Sequence, residues 1–167
     1  YLDTLHPVQE INHDLAFRHL LSLLEATLRT NFFQNVGRHN TLLALKIDSG
    51  QVEQMPIPTP YREIYVHDVN LEGTHLRFGP VARGGLRWSD RPEDFRTEVL
   101  GLVKTQQTKN VVIVPVGSKG GFVIKQLPSS REEAQAVAKE QYQRFIHGLL
   151  SVTDNRDADG QVRPPKQ

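Results

Sequence analysis

Two glycine pairs, each directly preceded by a cationic residue, constrain this chain more than any other feature. They are Gly84-Gly85, which follow Arg83, and Gly120-Gly121, which follow Lys119. Glycine has no Cβ atom, so paired glycines occur where a backbone turns tightly or approaches another group closely. A cation beside each pair indicates that the approaching group is an anion.

The segment between the two pairs has the pattern of an amphipathic helix. Phe95, Val99 and Leu102 fall on one face at helical spacing. At roughly 100° per residue the same face continues to Gln106 and Lys109. One interpretation is that the apolar stripe ends at Leu102 and the last turn is solvated. The other is that the face opens into a site where Gln106 donates a hydrogen bond and Lys109 supplies charge. The second interpretation requires an anionic partner, because a buried ammonium group without one is too costly.

A short apolar run follows this helix. The letters VVIVP at residues 111 to 115 predict an interior strand that ends at its proline. The letters GSKGG at residues 117 to 121 predict a loop before another strand at 122 to 124. This loop lacks the GxxxxGK[ST] spacing of a nucleotide-binding P-loop. Lys119 is therefore either a solvated turn residue or, together with the other cations, part of a site.

The rest of the chain predicts an α/β fold, with helices flanking a sheet of mixed parallel and antiparallel strands. An antiparallel hairpin and a helical crossover favour both strand directions. The polar segment 153 to 167 predicts a loop or tail that follows a domain of residues 1 to 152. The predicted helices are 10 to 29, 92 to 109 and 130 to 150, and the predicted strands are 42 to 47, 63 to 69, 74 to 78, 111 to 115 and 122 to 124.

Arg77 and Arg87 lie close to Trp88 in the sequence. Such a set could form a basic and aromatic patch for nucleic acid, but the basic residues do not extend beyond it. We therefore predict structural ion pairs with acidic residues such as Glu93 or Asp94.

Composition excludes several classes of function. The 167 residues include 20 basic and 19 acidic side chains, so bulk charge gives no reason to expect nucleic acid or a membrane as a partner. No run approaches the roughly 20 apolar residues of a membrane span. The absence of cysteine excludes disulfides and thiol catalysis and is compatible with a cytoplasmic location, which we predict. No HExxH or similar spacing occurs, so we predict no bound metal.

An ordered set of motifs resembles a known family. The set begins with Gly79-Pro80 and continues with RGGLRW at 83 to 88, Gln106-x-x-Lys109-Asn110, and PVGSKGG at 115 to 121. It is similar to the substrate-binding domain of the glutamate dehydrogenases. The letters RGGLRWSDR, LGLVK and VPVGSKGGF most resemble the large-subunit, NAD-specific bacterial type. The resemblance extends from about residue 29 to residue 150.

The resemblance implies how the substrate is held. Arg83, next to Gly84 and Gly85, would bind the side-chain carboxylate of glutamate, with an arginine where the family has a lysine. Gln106 and Lys109 would hold the α-carboxylate. Residues 1 to 152 would then be the substrate-binding domain.

The resemblance also implies the reaction and its partners. Lys119 matches the catalytic lysine, which would accept a proton from the water that attacks the substrate iminium. The full-length enzyme would convert L-glutamate to 2-oxoglutarate and ammonia with NAD as cofactor, and it would form homo-oligomers.

The cofactor is not expected on this chain itself. No GxGxxG follows a strand anywhere in the sequence, so the Rossmann domain is predicted to be absent from this chain. We therefore expect a domain-sized part of a longer enzyme that neither binds NAD nor turns over alone. The alternative is a non-catalytic sensor or assembly domain of the same fold that binds an anion or an amino acid.

Overall fold

The computed structural model of the chain describes residues 11–35, 42–81, 84–109 and 116–165. These residues form three α-helices, one sheet of six strands and a small hairpin near the end. The helices are α1 (Ile11–Glu25), α2 (Phe95–Lys109) and α3 (Arg131–Ser151), and the strands are β1 (Thr27–Thr30), β2 (Leu43–Ile47), β3 (Arg62–His67), β4 (Leu71–Arg77), β5 (Leu86–Trp88), β6 (Ser118–Ile124), β7 (Asn155–Arg156) and β8 (Val162–Arg163).

The main sheet has the strand order β1-β2-β3-β4-β6-β5. Strands β1 to β4 pair with their sequence neighbours in antiparallel fashion. Strand β6 is antiparallel to β4 and parallel to β5. The predicted α/β fold with a mixed sheet is therefore confirmed, as is the predicted hairpin, which β3 and β4 form.

Helix α3 covers one face of the sheet. A Cβ placed on Gly148 would lie 2.6 Å from Cγ1 of Val66, so the helix rests directly on β3. The rings of Phe145 and Phe122 pack with their centroids 5.5 Å apart, which joins α3 to β6. The buried residues of this layer are Leu42, Ala44, Ile64, Val66, Leu71, Phe122, Ile124, Phe145 and Val152.

Helix α2 covers the opposite face beside β4 and β6. Because successive strand residues point to opposite faces, Leu76 points away from α3 and is buried with Val99 and Val103. The predicted apolar stripe is correct at Phe95 and Val99 but wrong at its third position. Val103 is fully buried while Leu102 is only half-buried, because the stripe continues at a spacing of four residues.

A buried carboxylate fixes α2 on the sheet. The Nη2 of Arg96 lies 2.7 Å from Oε2 of Glu63, and the Oγ1 of Thr74 donates to Oε1 of the same group at 2.7 Å. Glu63 is buried, and both of its oxygens have a donor. The position of α2 on the sheet is thus set by charge-assisted hydrogen bonds as well as by apolar packing.

The first helix is shorter than predicted. It ends at Glu25, and residues assigned to its last turn form β1, which pairs with β2. Thr27 and Thr30 are β-branched and favour an extended backbone. Pairing with β2 then satisfies the hydrogen-bonding groups of this extended segment.

The predicted loop at 117 to 121 is also wrong. Ser118 is already the first residue of β6, which runs to Ile124 with partners on both sides. A strand rich in glycine is weak by itself, and here its backbone bonds to both β4 and β5 hold it extended. The strand predicted at 111 to 115 lies outside the described residues.

The described residues near the end of the chain include the last helix and a short hairpin. Helix α3 begins after Ser130, as predicted, although the side chain of that residue makes no capping hydrogen bond. In the segment 153 to 167, β7 and β8 form a hairpin whose turn is held by Asp157. The carboxylate of Asp157 accepts from the backbone N–H of Asp159 at 3.1 Å and of Gln161 at 2.9 Å. None of the helices in the described parts of the chain has the length and apolar character needed to cross a bilayer.

Candidate active site

The two glycine pairs meet at the start of β5 and β6. A Cβ placed on Gly84 would lie 1.5 Å from the carbonyl oxygen of Ser118, which leaves no room for any side chain there. The backbone N–H of Gly120 donates to the carbonyl of Gly85 at 3.2 Å. The two glycine pairs therefore lie next to each other in the fold, because the absence of side chains allows the two backbones to come into contact.

The second glycine pair also receives α2. A Cβ on Gly121 would lie 2.5 Å from Cγ2 of Val99, well inside normal contact distance. The helix can approach β6 this closely only because position 121 has no side chain. As a result, the C-terminal half of α2 lies near the start of β6.

Lys119 lies between the two glycine pairs. Lys119 points to the face of β6 that Gly121 and α2 share, which is opposite to that of Gly120. The side chain is half-buried, and its Nζ lies 3.7 Å from the point where a Cβ would stand on Gly85. The absent side chain at position 85 thus leaves space directly beside the ammonium group.

Gln106 lies against the residue that precedes β6. A Cβ on Gly117 would lie only 2.6 Å from the Oε1 of Gln106. That oxygen is buried and has no hydrogen-bond donor among the residues that the structure describes. An acceptor left without a donor costs about 1–3 kcal/mol, so the position favours a ligand that brings a donor.

Two other predicted site residues cannot be placed in the same way. Arg83 lies outside the described residues. Lys109 is the last residue of α2, three positions after Gln106, and its side chain also lies outside the described part of the chain. The convergence of three cations stays a prediction, while Lys119 and Gln106 are on the same side of the sheet.

Two buried polar residues near the glycine pairs were not predicted. The Oγ of Ser118 is buried without a partner in the described parts of the chain, and it faces Gly84. His75 lies opposite Gly120 in the β4–β6 pairing, and its Nδ1 is likewise without a partner there. Burial, reinforced by the nearby charge of Arg77, lowers the pKa of His75 to about 4. The alternation of β4 and β6 could have indicated these positions only if both strands had been recognised at full length.

The ion pairs around β5 differ from the prediction. Arg87 pairs with Glu98 of α2, with Nε and Oε1 2.8 Å apart, and Ser89 donates to the other oxygen of Glu98 at 2.6 Å. Asp94 instead pairs with Arg91. The predicted partners were wrong because β5 runs beside the first turn of α2, where Glu98 lies closer than the residues just before the helix.

Comparisons with known proteins agree with the predicted resemblance. Over residues 1–167 the chain matches the protein family described as bacterial NAD-glutamate dehydrogenase, catalytic domain. The NAD-specific glutamate dehydrogenase of Pseudomonas aeruginosa is 54% identical over 168 residues, which cover 98% of this chain and 10% of that protein. The protein of the same name from Halomonas elongata is 53% identical over 99% of this chain, and that from Mycobacterium tuberculosis is 51% identical over 94%. This chain spans about a tenth of the length of each of these curated relatives.

Proposed function

Since the chain belongs to the catalytic-domain family of the bacterial NAD-glutamate dehydrogenases, we propose that it supplies the glutamate-binding site and the catalytic lysine of such an enzyme. The reaction would be the oxidative deamination of L-glutamate to 2-oxoglutarate and ammonia. Residues 1 to 152 would form the substrate-binding domain. The observation that carries the proposal is the position of the Lys119 ammonium group beside the open space at Gly85.

Lys119 is proposed as the proton-transferring residue. Its side chain is half-buried in β6, whose two neighbouring strands hold it in place. In its neutral form the amine accepts a proton from the water that attacks the α-carbon of the substrate iminium. Because the strand is paired on both sides, the backbone from which the amine extends is held in place before the substrate arrives.

Gln106 is proposed to bind the α-carbon substituents of the substrate. Its buried Oε1 lacks a donor among the described residues, and an amino acid brings an ammonium group that can supply one. Its Nε2 can donate to the α-carboxylate, with Lys109 one helical turn further on. Arg83 would bind the second carboxylate, beside Gly84 and Gly85.

We propose that NAD does not bind to the described part of this chain. Dinucleotides bind in the crevice at the carboxyl ends of a doubly wound parallel sheet, whereas the described sheet contains a single parallel pair, β5 with β6. The sequence also has no GxGxxG motif. We therefore propose that the NAD site of the enzyme lies elsewhere in the protein, and that this chain binds and orients glutamate and transfers a proton.

The proposal is tested by kinetics of the intact protein that carries this chain. Lys119→Ala is expected to lower kcat for glutamate about 10³-fold, in the range for loss of a general base, with little change in KM. Gln106→Ala is expected to raise KM for glutamate about tenfold or more, since it removes a substrate contact. The matched control is Lys139→Ala, which removes an exposed lysine of α3 and should change neither constant.

Two results would contradict the proposal. Turnover by Lys119→Ala at more than a tenth of the unsubstituted rate would show that the lysine does not perform the chemistry. Failure of the intact protein to oxidise glutamate at all would favour a non-catalytic domain that kept the fold.

A further inference from the structure

A cluster of four cationic side chains lies on the face of the sheet opposite to Lys119. Arg29 of β1 pairs in register with Lys46 of β2, and Arg62 of β3 pairs in register with Arg77 of β4. Lys46 and Arg62 are two residues along their strands from Ala44 and Ile64, which belong to the core under α3. Alternation therefore puts all four cations on the α3 face, at one end of the sheet.

The four side chains line one cavity of about 340 Å³. Leu28, Tyr61, Gly79 and Pro80 complete its wall. The guanidinium of Arg62 stacks on the ring of Tyr61, with Cζ 4.3 Å from the ring centroid. The cavity thus combines four cations with an aromatic wall, and it is large enough for a small molecule.

The cations of this cavity outnumber their carboxylate partners. Arg29 pairs with Asp154 at 2.6 Å, and Arg62 pairs with Asp48 at 2.8 Å. In the described parts of the chain neither Lys46 nor Arg77 has a carboxylate partner, and the Nε of Arg77 is buried without any hydrogen-bond acceptor. Four positive and two negative groups leave a local excess of two positive charges.

Two of the four cations have lowered pKa values, chiefly because they are partly buried. Burial, followed by repulsion from Arg29 and Arg77, lowers the pKa of Lys46. Burial also lowers the pKa of Arg77. Both shifts report that the protonated forms are disfavoured in the cavity, and a bound anion would offset this cost.

We propose that this cavity binds the phosphate group of a small molecule. A phosphate monoester carries close to two negative charges at neutral pH, which matches the excess of two positive charges. Its oxygens accept from the forked guanidinium groups of Arg62 and Arg77 and from the ammonium group of Lys46. The proposal is independent of the proposed catalytic function, because the site lies across the sheet from Lys119.

The site is tested with inorganic phosphate and a nucleoside monophosphate as probes, on the intact protein that carries this chain. At constant ionic strength, calorimetry is expected to show saturable phosphate binding that chloride does not reproduce. Tighter binding of the nucleoside monophosphate would support the phosphate site and add the Tyr61 ring as a contact. Equal binding of the two probes would support a site for the phosphate group alone.

Two variants test whether phosphate binds in this cavity. Lys46→Met and Arg77→Met should each weaken phosphate binding about tenfold or more, the effect of losing a charge-assisted hydrogen bond. The control Arg131→Met removes an exposed arginine at the start of α3 and should leave binding unchanged. Because each cavity substitution removes a partly buried cation that has no carboxylate partner among the described residues, the variants should keep their helical circular dichroism and melt no earlier than the unsubstituted protein.

Three results would overturn the proposal. One is equal phosphate affinity in both cavity variants and the unsubstituted protein. Another is a calorimetric response to chloride that equals the response to phosphate at the same ionic strength, which would mean that the cavity has no preference for phosphate. The third is competition between phosphate and 2-oxoglutarate, which would mean that the two ligands share a single site.

Discussion

The Nζ of Lys119 lies 3.7 Å from the place where a Cβ of residue 85 would stand. This distance is ordinary van der Waals contact, so a methyl group at position 85 fits without moving the strand. The same methyl group would nevertheless occupy the space next to the amine, through which substrate or water would approach in the proposed function. Stability and activity should therefore respond differently to the same substitution.

Gly85→Ala tests this relationship in the intact protein. The melting temperature should change by no more than a few degrees, while kcat/KM for glutamate should fall about tenfold or more because the reacting groups are displaced. Steady-state kinetics together with thermal melts measure both quantities. Gly101→Ala is the control, since a Cβ there has no neighbour within 4 Å and should leave kinetics unchanged. Unchanged kinetics for Gly85→Ala would show that the space beside Lys119 is not used.

The contact between Gly121 and Val99 makes a prediction about stability. A Cβ on residue 121 would lie 2.5 Å from Cγ2 of Val99, so Gly121→Ala should lower the free energy of unfolding by about 1–3 kcal/mol through overpacking. Val99→Ala alone should also destabilise the fold, because it removes methyl groups from a buried position.

The double variant distinguishes overpacking from a backbone effect. Combining Val99→Ala with Gly121→Ala should cost less than the sum of the two single changes, with a coupling of about 0.5–3 kcal/mol. Urea unfolding of the four proteins supplies the cycle. Additive effects would mean that α2 does not rest on residue 121.

The burial of His75 predicts how the free energy of unfolding depends on pH. Its pKa is lowered from 6.5 to about 4 by burial and by Arg77, so the unfolded chain binds the proton more readily than the folded chain between these values. The free energy of unfolding is therefore unaffected by His75 above about pH 6.5. It decreases as the pH falls from 6.5 toward 4. A shift from 6.5 to about 4 corresponds to about 3 kcal/mol.

Urea unfolding between pH 7.5 and pH 4 measures this loss. His75→Gln removes the titrating group. Over this range the free energy of unfolding of the variant should therefore fall less than that of the unsubstituted chain, by about 3 kcal/mol. His147→Gln, at an exposed position of α3, should follow the unsubstituted chain. Parallel pH profiles for all three proteins would refute a buried neutral imidazole.

Local patterns predicted the helices and the regular hairpin well. The periodicity of Phe95 and Val99 located α2 and its buried face, because a helix is determined by neighbours three and four residues apart. The alternation in β3 and β4 likewise located the hairpin. The same pattern put Gln106 on the buried side of α2, and its amide does lie against Gly117.

Segments whose structure depends on distant partners were predicted poorly. The first three residues of Thr27–Thr30 were assigned to a helix, Leu86–Trp88 was not assigned at all, and the first residues of Ser118–Ile124 were assigned to a loop. Glycine and short length give weak local preferences for a strand. These segments are extended because β2, β4 and β6 offer hydrogen bonds to them.

The amino-acid sequence by itself determined which chemical groups this protein can use and which family it belongs to, since motifs such as RGGLRW and GSKGG are local and specific. Only the tertiary structure decided which groups meet. Strand pairing put Gly85 beside Lys119 on one face of the sheet, and it gathered Lys46 and Arg77 on the other. Register between strands is set by contacts between residues far apart in the chain, and no local pattern contains that information.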